Sequence, residues 1–146
     1  MKKGIFLSLV LVLLLTTGCM KKTQSLSCTK NLSNSTIKMD QKIDIKFVND
    51  KVEDMSTTIT VNLPDSYKSY IDTFKSNLEK EYKNKYGKYK SIKLDTKVKS
   101  DSQIDVNMYF DYKNMSSSDK KELNLSGSEK YSVNKKTLED QGFTCK

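Results

Sequence analysis

The chain contains no arginine, histidine, tryptophan or alanine, and only one proline. Without histidine there is no Ser-His-Asp or Cys-His arrangement, and no ordinary zinc or facial-triad iron site. Without arginine the planar fork that reads phosphates and guanine edges is missing, so specific nucleic-acid recognition is disfavoured. Long apolar runs are scarce as well, with a single one near the N-terminus. At 36% hydrophobic and 30% charged residues, with 5 Gly and 1 Pro, the chain is polar for a globular protein. It is nonetheless too rich in aromatic and β-branched residues for simple disorder. Its 146 residues allow one domain of ordinary size with a thin core.

What is present in excess is lysine, which supplies all 26 basic side chains against 18 acidic ones, for a formal charge of +8. An AT-rich genome, which favours Lys, Asn, Ile and Tyr codons, accounts for this without any dedicated polyanion site. A weak, salt-sensitive attraction to anionic polymers is still implied.

Lys2 and Lys3 precede the apolar run Ile5 to Leu15, IFLSLVLVLLL. A bilayer-spanning helix needs roughly 20 such residues, so these 11 read as the core of a signal peptide. Thr16, Thr17, Gly18 and Cys19 follow, and this segment resembles the bacterial lipobox. In that family of signals the leader, here residues 1–18, is cut between Gly18 and Cys19, and the cysteine sulfur receives a diacylglycerol. The lipobox usually carries Leu three positions before the cysteine, where Thr16 stands in this chain; Leu15 is one place further back. A lipid-anchored protein on the extracytoplasmic face of the cell membrane is expected. A plain secreted protein and an uncleaved anchor are the alternatives, in that order. Acyl chains contribute about 0.8 kcal/mol per buried methylene, so two or three of them hold where one does not. Residues 19–25 read as an acylated tether whose Lys21 and Lys22 can meet anionic headgroups.

With Cys19 acylated, Cys28 and Cys145 remain, one at each end of the domain expected over residues 26–146. An exported protein meets no reducing glutathione pool, so a Cys28–Cys145 disulfide is allowed, with two free thiols as the alternative. The spacing excludes a catalytic CxxC, and no histidine is available to activate a cysteine nucleophile.

Ile37, Met39, Ile43, Ile45 and Phe47 are all odd-numbered, which is the period of a strand with one buried face. Asn49 and Asp50 form a turn, and Met55, Thr57, Ile59, Val61 and Leu63 resume the phase, so a hairpin is expected. Val52 is out of step, which predicts a bulge near Glu53. Leu26 and Cys28 mark a short first strand. Pro64 ends the sheet, Asp65 or Ser66 is the candidate cap, and Tyr67, Tyr70, Ile71, Phe74, Leu78, Tyr82 and Tyr86 recur at helical spacing up to Gly87. Such a tyrosine stripe is more often the edge of a core than a stacking platform for sugars or bases. Ile92, Leu94 and Val98, then Ile104, Val106, Met108, Phe110 and Tyr112, predict a second hairpin. Its polar face carries Lys93, Asp95, Lys97, Lys99, Asp105, Asn107 and Asp111 and reads as solvated. Residues 116–125 and 134–141 offer two short helices, the second ended by Gly142. The expected fold is α+β in two layers: an antiparallel sheet of about five strands in the order β-β-β-α-β-β-α-α, with helices on one face.

The layout resembles the YehR-like group of small bacterial lipoproteins of unknown function. The likeness rests on the lipobox at Thr16 to Cys19, the KIDIKFVNDKVEDMSTTITV hairpin, the Tyr-rich helix, the IDVNMYFDY strand and the terminal LEDQGFTCK. It implies a two-layer α+β fold and a cell-envelope location, and carries no catalytic or binding residues with it.

A membrane-tethered, non-enzymatic binding or structural module is therefore the leading expectation. Its partners are membrane lipid through Cys19, and an anionic envelope polymer or an envelope protein. Retention of anionic wall polymers by the lysine-rich surface is the first alternative. A carboxylate-dependent hydrolase is the second, and it is disfavoured because pairs such as Asp105 and Asp111 fall on the exposed face, where no burial tunes them. Neither a cofactor nor a metal is expected.

Overall fold

A computed structural model describes residues 21–125, 127 and 129–146. Six strands form one antiparallel sheet in the order β4-β5-β3-β2-β1-β6: β1 Thr23–Asn31, β2 Lys38–Val48, β3 Lys51–Asn62, β4 Ile92–Val98, β5 Gln103–Phe110 and β6 Thr144–Cys145. A 3-10 turn, Asp65–Tyr70, leads into α1 Ile71–Tyr86, and the chain continues through α2 Ser117–Glu122 and α3 Tyr131–Asp140. The architecture is thus α+β with helices on one side of the sheet. It has six strands rather than five, and the extra one is the two-residue β6 beside β1.

The register explains the core. Leu26 lies opposite Ile45, Ile45 opposite Met55, and Met55 opposite Phe110, so the apolar residues of four strands share one face. At Lys46 and Phe47 the pairing shifts: Lys46 faces Asp54 while Phe47 faces Val52, which leaves Glu53 as the bulged residue. That bulge turns Val52 back into the core. Asn49 and Asp50 both adopt positive φ, 52° and 60°, as a two-residue hairpin turn of this twist requires.

Three clusters fill the covered side. Leu26, Cys28, Ile45, Phe47, Val52 and Tyr112 form one, joined by Tyr131, Leu138 and Phe143 from the C-terminal segment. Tyr89, Ile92, Phe110 and Met115 form the second under Tyr82 and Tyr86 of α1, and Val61, Ile71 and Ile104 the third under Phe74. The sheet, its helical layer and the Cys28–Cys145 disulfide all lie within the described residues.

Several boundaries differ from the sequence expectation for physical reasons. β1 starts at Thr23, inside the stretch read as tether, because its backbone pairs with β2 as far as Val48 while Thr23 and Ser25 are exposed. Neither Asp65 nor Ser66 caps a helix, since the residues after Pro64 wind as 3-10 and α1 starts only at Ile71, with no side-chain cap. Tyr67 and Tyr70 are accordingly 50% and 60% exposed and stand outside the inward-facing stripe, in which Ile71 is buried and Phe74, Leu78, Tyr82 and Tyr86 are half-buried. α3 starts at Tyr131, three residues early, because Asp50 Oδ1 accepts the Tyr131 amide at 2.9 Å and the Tyr131 ring meets Phe47 edge-on at 5.3 Å.

The end of α3 is closed by Gly142 at φ 86°. Phe143 N donates to Leu138 O and Gly142 N to Glu139 O, the paired bonds of a Schellman cap, with Phe143 and Leu138 both in the core cluster. A side chain at this backbone conformation is strained by roughly 1–2 kcal/mol. Gly142→Ala is therefore expected to lower stability by about that amount in urea unfolding, and an unchanged midpoint would show that the cap does not hold.

Candidate functional site

At the turn end of the β2–β3 hairpin the sheet is only partly continued, since β5 pairs with β3 no further than Met55. The strand edge left open there, the start of β1 and the segment after β5 enclose a cleft of about 580 Å³. Its charged lining is Lys21, Lys46, Lys51, Lys113 and Lys120 with Glu53 and Glu129.

Each charge has a local reason for its place. Lys22 N donates to Asn49 Oδ1 and Asn49 N donates to Lys22 O, which ties the residue before β1 to the hairpin tip. Lys21 and Thr23 are thereby held at the rim. Lys46 projects from β2 and meets Glu53 Oε2 at 2.6 Å, while Lys113 lies 3.6 Å from the other oxygen of the same carboxylate. Lys113 N also donates to Glu53 O, so the bulge organises both walls. Lys120 of α2 sits over the Tyr112 ring, 3.8 Å from its centroid, and 3.6 Å from Glu129. Ser116 Oγ accepts from Asp119 N and fixes the start of α2. Lys21 and Lys51 meet no carboxylate among the described residues.

Electrostatics follow this pairing. The Lys46 ammonium against it holds the Glu53 carboxyl below the usual glutamate range, and the same contact raises Lys46. Both are therefore charged at neutral pH. Lysine ammoniums are point charges on flexible stems, able to follow spaced phosphates but not to grip one planar ligand in a fixed fork. The cleft is suited to holding anionic groups.

The uncovered sheet face is a polar grid. Thr58 donates to Asn107 and Thr60 to Asp105, each at 2.8 Å, and Gln103 donates to Asn62 at 2.9 Å. Asp105 and Asp111 both lie along this part of the chain. Asp105 is bound by Thr60 and approached by Lys99 at 3.6 Å, whereas Asp111 accepts from Asn114. Asp54 is raised by burial and Tyr109 likewise, with Asp54 and Asp111 adding to the second. No group of three or more potential metal ligands occurs among the described residues.

Of the residues singled out in the sequence, Cys28 and Cys145 are brought together as a disulfide with Cα atoms 4.1 Å apart. Gly18 and Cys19 lie outside the described residues. The cleft itself had no sequence signal: its lysines come from residues 21, 46, 51, 113 and 120, scattered among 26.

The molecule is thus a two-layer α+β domain with a basic cleft at its N-terminal end. No protein-family model and no curated protein matches the chain. Among solved structures it is similar to the NMR structure of a protein from Streptococcus pneumoniae TIGR4. The TM-score is 0.58 at 19% identity, over 100% of this chain and 97% of that one. At that identity the likeness speaks for the fold alone. No helix among the described residues is long and apolar enough to cross a membrane.

Proposed function

We propose that this protein is a lipid-anchored envelope module, held through acylated Cys19 on the extracytoplasmic face of the membrane, that binds an anionic envelope component without catalysing a reaction. The observation that carries the binding part is the cleft, with five lysines against two glutamates at the end of the domain where the chain departs towards Cys19. The lipobox-like Thr16 to Cys19 carries the anchoring part, and the resemblance in layout to YehR-like lipoproteins agrees with it.

Labelling with palmitate tests the anchor. The wild-type chain is expected to take up label and sediment with membranes; Cys19→Ala is expected to do neither. A variant that remains acylated would refute the assignment.

A further inference from the structure

We propose that the lysine cleft rests on the anionic phospholipid headgroups of the bilayer itself, so that the domain sits on the membrane with the tip of the β2–β3 hairpin facing down. This orientation rests on the lipid-anchor reading and adds to it the surface that the cleft meets.

Reach limits where the cleft can be. The Lys22 backbone is fixed to the hairpin tip by its two hydrogen bonds with Asn49. Cys19 stands three positions before Lys22, and an extended chain spans at most about 3.6 Å per step, roughly 11 Å in all. An acylated Cys19 therefore keeps the tip within roughly 11 Å of the headgroup layer, about one and a half times the Debye length of about 8 Å at physiological salt.

Charge and shape agree with that placement. Glu53 is shared by Lys46 and Lys113, and Glu129 is approached by Lys120, so the lining retains a surplus of positive charge. Lys21 and Lys51, which meet no described carboxylate, stand exposed at its rim next to Lys22. The anchor itself delivers a dense layer of phosphates to this point, at high effective concentration, whereas a wall polymer has to be recruited from elsewhere.

The test uses residues 20–146, which carry every described strand and helix and the Cys28–Cys145 bond, in co-sedimentation with vesicles of phosphatidylcholine alone or with one quarter phosphatidylglycerol. Anionic vesicles are expected to bind at least tenfold better, with the difference fading at high salt. A lysine near an anionic surface is worth about 1 kcal/mol, or about fivefold. Lys46→Gln/Lys51→Gln/Lys113→Gln/Lys120→Gln is thus expected to abolish the difference. A charge-matched control, Lys38→Gln/Lys80→Gln/Lys97→Gln/Lys99→Gln, is expected to keep most of it. Lys21→Gln/Lys51→Gln breaks no described ion pair and should lose binding with the fold intact. Equal binding to both vesicles, or equal loss in the control, overturns the proposal. So does soluble poly(glycerol phosphate) binding more tightly than vesicles, which would assign the cleft to wall polymer. Because this chain carries no acyl group, failure here is separable from failure of the palmitate test.

Discussion

Reduction of the Cys28–Cys145 bond is expected to remove roughly 3–5 kcal/mol of stability, read as a lower midpoint of denaturant unfolding in the presence of reductant. The bond closes a loop of 117 residues, so nearly the whole domain lies between its ends. A cross-link over such a span restricts the unfolded chain far more than the folded one; the chain-entropy relation gives about 5 kcal/mol, and measured values are commonly smaller. Small domains have total stabilities of about 5–15 kcal/mol, so the reduced protein is marginal. The loss also has a local part. β6 is two residues long and pairs with β1 only at Cys28 and Thr29, supported by the exchange of hydrogen bonds between Ser27 and Lys146. Once the bond is broken, that strand is expected to fray first, visible as fast amide exchange at residues 143–146. Identical midpoints with and without reductant would rule out this account.

Phe47→Ala is expected to cost about 3–5 kcal/mol, the range for removing a fully enclosed phenyl ring. Phe47 is 0% exposed and lies among Leu26, Cys28, Ile45 and Val52. Its ring is also what Tyr131 packs against, so the substitution loosens the start of α3 in addition to leaving a cavity. Equilibrium unfolding checks the size of the effect, and a loss under 1 kcal/mol would mean that the site collapses around the gap. In the reduced protein the same substitution is expected to leave no cooperative transition.

The sheet was legible in the sequence wherever one face is apolar. The odd phase from Ile37 to Leu63 matched the observed pairing of β2 with β3, and Val52 falling out of step located the bulge at Glu53. Legibility failed where pairing does not depend on side-chain polarity. Thr23 to Ser25 are polar, yet their backbone completes a ladder with β2. Thr144 and Cys145 are too few to show a period, and only the arrival of Cys145 beside Cys28 makes them a strand. The segment after Pro64 carries tyrosines at helical spacing, but its first turn is wound too tightly to turn Tyr67 and Tyr70 inward. The cleft was hidden for a different reason. Lysine at one residue in six or so carries no local information, and the five that line the cleft are selected by the hairpin, the bulge and α2 acting together.

The disulfide also determines how the molecule carries a load. Tension applied between the start of β1 and Lys146 travels along β1 to Cys28, crosses the sulfur bridge to Cys145 and leaves through the Cys145–Lys146 peptide bond. Residues 29 to 144 lie on a closed side branch of this covalent path and are loaded only through non-covalent contacts such as the pairing of β1 with β2. A domain wired in this way is a short inextensible link when pulled from its ends, and anything attached beyond Lys146 would be held to the N-terminal side by covalent bonds alone.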